Sequence, residues 1–205
     1  MRVGQRMLTS VDAVTIDGYG TLLQLVDPVP ALSELAPGKS ADAIRAALDA
    51  ELSYYLDHSV EGRDGASLAK LRADCTAVFN EVLGSALTPE EYIGALEFEP
   101  LPEIPETLRR LRAHGLALAV VANWDFGLHE HLHEQGLRHW FDVVVTAAEV
   151  GVKKPDPRPF HEALHRLGVR PERAMHVGDL PAHDGEGAAA AGIRFVQAPL
   201  SRLVA

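Results

Sequence analysis

The sequence is short of cysteine, with Cys75 as the only one among 205 residues. A single cysteine cannot form an internal disulfide or a cysteine-based metal cluster, and its apolar neighbours indicate a buried thiol. Long apolar runs are also missing, since no window approaches the roughly 18 apolar residues of a membrane-spanning helix. The first ten residues lack the apolar run of a signal peptide. We therefore expect a cytoplasmic protein without a membrane partner.

Basic residues are scarce as well. The 19 lysines and arginines are outnumbered by 29 aspartates and glutamates, and the formal net charge is -10. The field of such a chain repels a polyanion, so a nucleic acid partner is not expected. A small anionic substrate remains compatible with this charge, because one lysine and one metal ion can reverse its sign inside a cleft.

Short apolar runs rich in β-branched residues alternate with amphipathic stretches. The runs predict buried strands at residues 13–16, 116–121, 143–146, 174–177 and 194–196. The stretches between the later runs end at glycines suited to closing a helix. This alternation predicts an α/β fold, a doubly wound parallel sheet with helices on both faces. Ligands of such sheets bind beyond the carboxyl ends of the strands, so functional residues should follow each strand.

The interval from residue 27 to residue 100 interrupts the alternation. It shows helical spacing at residues 41–57 and 68–83, with no convincing strand between them. Prolines cluster at both of its ends, which is typical of hinges. We therefore expect a helical insert of residues 27–100, and a core domain assembled from residues 1–26 and 101–205.

The first predicted strand ends in a carboxylate within a glycine-rich turn, Asp17-Gly18-Tyr19-Gly20-Thr21. A strand end is a useful position for an attacking group, and the glycines let the backbone approach an anion closely. The alternative is an Asx turn, in which Asp17 binds only local backbone groups. This segment alone does not decide between the two.

Polar residues also follow the next three predicted strands. Ala122 and Asn123 follow the second, Lys154 follows the third, and Asp179 follows the fourth, with Asp184 five residues later. A carboxylate nucleophile, a lysine to hold an anion and two acids to hold a divalent cation together form a phosphoryl-transfer site. A helix N-cap is the alternative role for Asp179.

These four motifs occur in the order found in the haloacid dehalogenase-like (HAD) superfamily, which the sequence resembles from about residue 14 to residue 192. The resemblance implies a Rossmann-like core and a hydrolase activity. It also implies a small helical cap inserted after the first motif, and the helical insert matches that cap. Caps of this kind close over the substrate, which the resemblance predicts to be a small-molecule phosphate ester.

The resemblance further implies roles for individual residues. The expected catalytic residues are Asp17 as nucleophile, Tyr19 and Lys154, the lysine that directly precedes Pro-Asp-Pro. The expected ligands of Mg²⁺ are Asp17, the backbone carbonyl of Tyr19, Asp179 and Asp184. The expected substrate contacts are Gly18, Thr21, Ala122, Asn123 and Lys154.

Two positions depart from the pattern of the superfamily's phosphatases. They usually carry a second aspartate two positions after the nucleophile, where Tyr19 stands here. A phenol is a weak replacement, and loss of a positioned acid or base costs about 10² to 10⁴ in rate. The second motif normally offers a serine or threonine hydroxyl, where Ala122 stands here. Ordinary phosphatase turnover could therefore be reduced.

Two alternatives to a magnesium-dependent phosphatase remain. Tyrosine at residue 19 is typical of the 2-haloacid dehalogenases of the superfamily, which use no metal. However, those enzymes have neither an aspartate at the position of Asp179 nor a phenylalanine at the position of Phe160. A catalytically weakened relative with a binding or biosynthetic role is the second alternative. We favour the phosphatase, because two acids beside a nucleophilic carboxylate repel one another unless a cation is present.

Other polar and aromatic residues are expected to serve the fold. Lys153 should be a surface lysine, and Trp124 should pack in the interior. The histidines are expected to be exposed rather than to bind zinc, because those at residues 129, 131 and 133 lack helical ligand spacing. The substrate's identity and the oligomeric state cannot be inferred from the sequence.

Overall fold

A computed structural model describes residues 8–204, so seven of the first ten residues lie outside the described residues. The strands are β1 (Ala13–Ile16), β2 (Leu23–Leu25), β3 (Phe98–Pro100), β4 (Ala117–Ala122), β5 (Val143–Thr146), β6 (Ala174–Gly178) and β7 (Arg194–Gln197). Five of them form a parallel sheet in the order β5-β4-β1-β6-β7. The predicted fold class is confirmed, and β1 lies at the centre of the sheet.

The helices are α1 (Val29–Leu35), α2 (Ala41–His58), α3 (Gly65–Leu83), α4 (Pro89–Gly94), α5 (Ile104–Ala113), α6 (Leu128–Glu134), α7 (Ala147–Val150), α8 (Arg158–Leu167) and α9 (Glu186–Ala190). Local sequence explains where α3 begins and ends. The side chain of Asp64 accepts a hydrogen bond from the backbone of Ser67, and Gly84 closes the helix with a φ of 65°. None of the described helices is long and apolar enough to cross a membrane.

Both faces of the sheet are buried. Successive side chains of a strand point to opposite faces, so each strand contributes to two separate clusters. In β4, Leu118 and Val120 belong to one buried cluster, whereas Ala119 and Val121 belong to another. Since neither face meets solvent, the strand is a continuous apolar run. The arrangement is doubly wound, and it brings the carboxyl ends of all five strands to one edge.

The segment between β2 and β3 contains α1 to α4 and has a buried cluster of its own, which includes Leu32, Ile44, Phe79 and Tyr92. The two longest helices correspond to the helices predicted at residues 41–57 and 68–83. The strands β2 and β3 pair antiparallel and join the two ends of the segment. This ribbon was not predicted, because strands of three residues are too short for a period-two pattern. The division into domains at residues 27 and 100 stays a prediction.

Gly187, the second residue of α9, tests how tightly this helix packs on the core. A Cβ at this position would lie 2.6 Å from Cε2 of the buried Phe160 and 3.2 Å from Cα of Pro155. We expect Gly187→Ala to lower the free energy of unfolding by about 1–3 kcal/mol, because overpacking forces neighbouring groups to shift. Urea denaturation would measure the loss. The control is Gly65→Ala, where a Cβ meets nothing within 4 Å, and a loss of stability in both variants alike would contradict the prediction.

Candidate active site

The ammonium group of Lys154 is the centre of a polar cluster at the carboxyl ends of the strands. Lys154 lies in the loop between α7 and α8, and it is only 3% exposed. Its Nζ donates hydrogen bonds of 2.6 Å to Oδ1 of Asp17 and of 2.6 Å to Oδ1 of Asp184. Asp17 directly follows β1, and Asp184 lies in a π-helical turn after β6. Three separate loops therefore meet at one buried ion cluster, as the strand-end motifs predicted.

Asp184 is held on both of its carboxylate oxygens. Oδ1 contacts Nζ of Lys154 and, at 3.0 Å, Nε2 of His176, whereas Oδ2 accepts a 3.0 Å hydrogen bond from the backbone of Leu180. The close approach needs a glycine at residue 178, because a Cβ there would lie 2.2 Å from Cγ of Asp184. The orientation of this carboxylate is therefore fixed by its surroundings.

The protonation states of the cluster depend on one another. Burial lowers the pKa of Lys154, but the carboxylates of Asp17 and Asp184 outweigh it and hold this pKa above its ordinary value. Burial raises the pKa of Asp184, but the hydrogen bond from His176 and the charge of Lys154 outweigh it and lower this pKa. At Asp17 burial prevails over the lysine charge, and the pKa is raised. At neutral pH the site contains a buried cation beside the anion of Asp184.

Asp179 completes a group of acids with Asp17 and Asp184. One carboxylate oxygen of each lies within 4.8 Å of the others. Asp179 is only half-buried, and a Cβ at residue 20 would lie 2.5 Å from its Oδ2, so the glycine there leaves room for this carboxylate. The acids that the sequence suggested as magnesium ligands therefore lie together, and their role as ligands stays a prediction.

Asn123 contacts the backbone of Lys154 rather than its side chain. Its Oδ1 accepts a 2.6 Å hydrogen bond from the amide of Lys154, and its Nδ2 donates a 3.0 Å hydrogen bond to the carbonyl of the same residue. Both polar atoms of the Asn123 side chain thus hold the lysine loop. The predicted contact of Asn123 with substrate remains untested.

The loop after Asp17 is tightly packed on one side and open on the other. A Cβ at Gly18 would lie 3.1 Å from the Cβ of Ala122, so the alanine methyl group fills the space beside the glycine. Thr21 is buried, and its hydroxyl has no hydrogen-bond partner within residues 8–204. Tyr19 is 55% exposed and its ring meets that of the buried Trp124 edge to face at 6.5 Å. Trp124 packs in the core as predicted.

One prediction about a polar residue is wrong. His176, expected to be exposed, is fully buried, and it contacts Thr15 as well as Asp184. Its place within a buried strand was the available signal, because both faces of such a strand are covered. Lys153, expected at the surface, is partly exposed, and its Nζ donates a hydrogen bond to the carbonyl of Leu56 in α2.

Sequence reasoning also missed a contact between the helical segment and the loop after Asn123. The backbone amide of Asp125 lies 3.4 Å from the hydroxyl oxygen of Tyr55 in α2. The carboxylate of Asp125 accepts a 2.7 Å hydrogen bond from the amide of Gly127. Nearby, Arg72 of α3 forms a 2.6 Å ion pair with Glu130 of α6. Burial raises the pKa of Asp125 to about 6. A buried titratable group therefore lies where the helical segment meets the core.

The fold and the site together define a class, the α/β hydrolases in which an aspartate at a strand end faces a buried lysine and a pair of acids. Within that class the chain belongs to the haloacid dehalogenase-like hydrolase family, whose family model matches residues 11–192. The family relationship predicted from the four motifs is confirmed.

Individual relatives include both phosphatases and dehalogenases. Over 96 residues the chain is 47% identical to a phosphoserine phosphatase from Thermus thermophilus, a match that covers 46% of this chain and 39% of the relative. The crystal structure of a HAD phosphatase from Thermococcus onnurineus is 27% identical with a TM-score of 0.61, covering 91% of this chain and 86% of the other. An L-2-haloacid dehalogenase from Xanthobacter autotrophicus, 22% identical, shares the fold with a TM-score of 0.69, covering 91% of this chain and 77% of the other.

The sequence matches cover only part of the relatives. For the first three curated relatives the matched segments span 35%, 45% and 39% of the relative's own length. The chain therefore matches less than half the length of these relatives, and the comparisons establish its family.

The stability of the protein should depend on the ionisation of Asp125. Its pKa is about 6 in the folded state against an ordinary value of 3.8, so the folded state binds more protons between these values. The contribution of Asp125 to the free energy of unfolding should therefore be fully present below about pH 4, and roughly 2–3 kcal/mol of it should be lost as the pH rises through 6. Urea denaturation at several pH values would measure this against Asp125→Asn, which lacks the titrating group.

The control for this pH series is Asp49→Asn, which changes an exposed aspartate of α2. It shows what the loss of a surface carboxylate alone does to the free energy of unfolding. A pH dependence of Asp125→Asn that does not differ from that of this control would contradict the assignment of the raised pKa to Asp125.

Proposed function

We propose that the protein is a magnesium-dependent phosphatase that hydrolyses a small-molecule phosphate ester through an aspartyl-phosphate on Asp17. The supporting observation is the charge balance of the site. The carboxylates of Asp17, Asp179 and Asp184 lie within 4.8 Å of one another, and two of them contact the buried ammonium of Lys154. Carboxylates this close repel one another unless cations neutralise them, and a divalent cation supplies the missing charge.

The residues present fit a hard divalent cation. Carboxylate and carbonyl oxygens are the donors that Mg²⁺ prefers, and two acids with several waters commonly suffice. Asp17, the backbone carbonyl of Tyr19 and Asp179 would hold the ion. Asp184 already accepts hydrogen bonds on both oxygens, so we assign it to the lysine rather than to direct coordination. When bound, the ion would neutralise charge on the transferring phosphoryl group and polarise its oxygens.

The chain's own groups can perform the transfer in two steps. Oδ1 of Asp17 faces Lys154, so Oδ2 is the oxygen free to attack phosphorus as the bond to the leaving oxygen breaks. The Lys154 ammonium lies at hydrogen-bond distance from the nucleophile and can hold an anionic phosphoryl oxygen there. A water molecule then hydrolyses the acyl phosphate, which releases phosphate and restores the carboxylate.

The helical segment is proposed to act as a cap over this reaction. It contacts the two loops that carry the site, through Tyr55 beside Asp125 and through Leu56 beside Lys153. These contacts lie one or two residues from Asn123 and Lys154. Closure of the segment would exclude water and complete the binding site, which is the usual role of a lid.

Tyr19 and Ala122 limit which phosphates should be good substrates. An alkyl leaving group needs a proton as its bond breaks, and a phenol is a weak general acid and a poor general base near neutral pH. A stable leaving group, such as the one of an aryl or acyl phosphate, needs none. The substrates we propose are therefore phosphates with good leaving groups.

Dehalogenation of a 2-haloacid is the second candidate function. The tyrosine two residues after Asp17 favours it, because a displaced halide needs no proton and Asp17 could attack carbon in the same way. The acid at residue 179 disfavours it, because a third carboxylate beside the nucleophile has no task in a reaction without a metal. The named phosphatase relatives support the first candidate.

The decisive experiment is a paired assay with an aryl phosphate and a 2-haloacid, each with Mg²⁺ and with a chelator. We expect hydrolysis of the phosphate only, lost in chelator and restored by Mg²⁺. Asp17→Asn should reduce it below a few per cent, because the amide is nearly isosteric but cannot form the covalent intermediate. Circular dichroism should show unchanged helix content. Activity on the haloacid that survives chelation would replace the phosphatase by a dehalogenase, and inactivity on both substrates would favour a binding role.

Replacement of Tyr19 tests the proposed substrate preference. We expect Tyr19→Asp to raise kcat for an alkyl phosphate by about tenfold or more and to change kcat for an aryl phosphate little, because a carboxyl group can protonate the poor leaving group. Tyr19→Phe is the matched control, since it keeps the ring beside Trp124 and removes only the hydroxyl group. If Tyr19→Phe alone abolished aryl phosphate hydrolysis, the phenol would take part in the reaction directly.

A further inference from the structure

We propose that the buried pair Thr15 and His176 positions the active site, because His176 fixes the carboxylate of Asp184 and thereby the ammonium of Lys154. Within residues 8–204, neither member of the pair forms a hydrogen bond to the nucleophile Asp17, and neither belongs to the four motifs. The pair is a positioning device that acts through Asp184. The kinetic part of this inference rests on the proposed phosphatase activity, whereas its structural part does not.

A continuous chain of hydrogen bonds supports this role. The hydroxyl oxygen of Thr15 lies 2.9 Å from Nδ1 of His176, and Nε2 of the same ring lies 3.0 Å from Oδ1 of Asp184. That oxygen also accepts the 2.6 Å hydrogen bond from Lys154. Thr15 and His176 face each other across adjacent strands, in register in the β1–β6 ladder. Residues of the central strand β1 and its neighbour β6 therefore support the position of the lysine through Asp184.

The chemistry of the partners determines the direction of each hydrogen bond. Asp184 accepts hydrogen bonds from Lys154 and Leu180, so its carboxylate can only accept from His176 as well, and Nε2 must carry a proton. A buried imidazole next to an ammonium group is favoured in its neutral form. Its Nδ1 is then an acceptor, and the hydroxyl of Thr15 donates to it at 2.9 Å in preference to the carbonyl of Met175 at 3.4 Å.

Aromatic side chains pack against the buried ring of His176 and limit its orientation. His176 is fully buried, and its ring meets Phe160 edge to face at 4.8 Å and stacks on Phe195 at 6.4 Å. These contacts restrict the plane of the His176 ring. The hydroxyl group of Thr15, as a donor to Nδ1, favours the tautomer with its proton on Nε2. Without the donor at Nε2, Oδ1 of Asp184 would keep only its hydrogen bond from Lys154, and the ammonium would be held less firmly beside Asp17.

Two pairs of variants separate positioning from packing. His176→Leu removes the donor to Asp184, whereas His176→Gln keeps an amide donor of similar reach. Thr15→Val keeps the β-branched shape of a strand residue but removes the hydroxyl, whereas Thr15→Ser keeps the hydroxyl. His165→Leu, which removes an exposed imidazole from α8, is the control. All five variants are to be measured as full-length proteins, with circular dichroism and thermal unfolding to verify the fold.

The kinetic readout is the split between kcat and KM for aryl phosphate hydrolysis in Mg²⁺. We expect His176→Leu to lower kcat by about tenfold or more, because a misplaced lysine stabilises the transition state less than a positioned one. His176→Gln should recover a large part of the loss, and Thr15→Val should lower kcat more than Thr15→Ser. A folded His176→Leu with kcat within twofold of the wild type would overturn the proposal, as would equal losses in the leucine and glutamine variants.

The structural readout needs no substrate, so it distinguishes failure of this inference from failure of the proposed function. Nitrogen NMR of the histidine rings should show His176 as the neutral tautomer protonated at Nε2. The Nζ signal of Lys154 should move in His176→Leu and stay unchanged in His165→Leu. A wild type inactive on phosphates but with these signals would refute the phosphatase and keep the positioning role. A proton on Nδ1 alone, or an unmoved lysine signal, would refute the positioning role itself.

Discussion

The buried ammonium of Lys154 is the group on which the candidate site depends. A charge that is 3% exposed is stable in a protein interior only when it is paired and hydrogen-bonded, and Lys154 has two carboxylates at 2.6 Å. Removal of one partner of such a pair typically costs about 3–5 kcal/mol. The lysine thus connects Asp17 of one loop to Asp184 of another. Asn123, bound to the lysine backbone through both amide atoms, adds a third loop.

This arrangement separates the electrostatic part of the site from its proton-transfer part. The electrostatic part is complete, with the proposed nucleophile Asp17, the fixed cation of Lys154 and acids that could hold a metal. The proton-transfer part is reduced, because Tyr19 is exposed and Ala122 offers only a methyl group. An enzyme with such a site depends on substrates whose leaving groups need little help. The chemistry of the site thereby restricts the class of leaving group, although no contact identifies an individual substrate.

The sequence predicted those features of the site that strand ends determine directly. Asp17, Lys154 and Asp184 each come after a recognisable strand, and parallel strands bring their carboxyl ends together. The role of His176 was not predictable in this way, because its partner Thr15 is brought to it by tertiary pairing of strands 161 residues apart in the chain. The contact between Tyr55 and Asp125 was missed for the same reason, since neither residue belongs to a local pattern. Local periodicity predicts elements, whereas side-chain partners depend on how these elements pack.

Two contacts connect the helical segment to the loops of the candidate site, one to each loop. The loop that holds Asn123 continues directly into Asp125, and Lys153 directly precedes Lys154, and both neighbours contact α2. Movement of the segment away from the core would break these contacts and free the two loops that together hold the lysine. Because Asn123 binds the backbone of Lys154, a displacement of either loop acts on the ammonium group. The proposed opening of the segment for substrate would therefore also act on the loops that position the lysine.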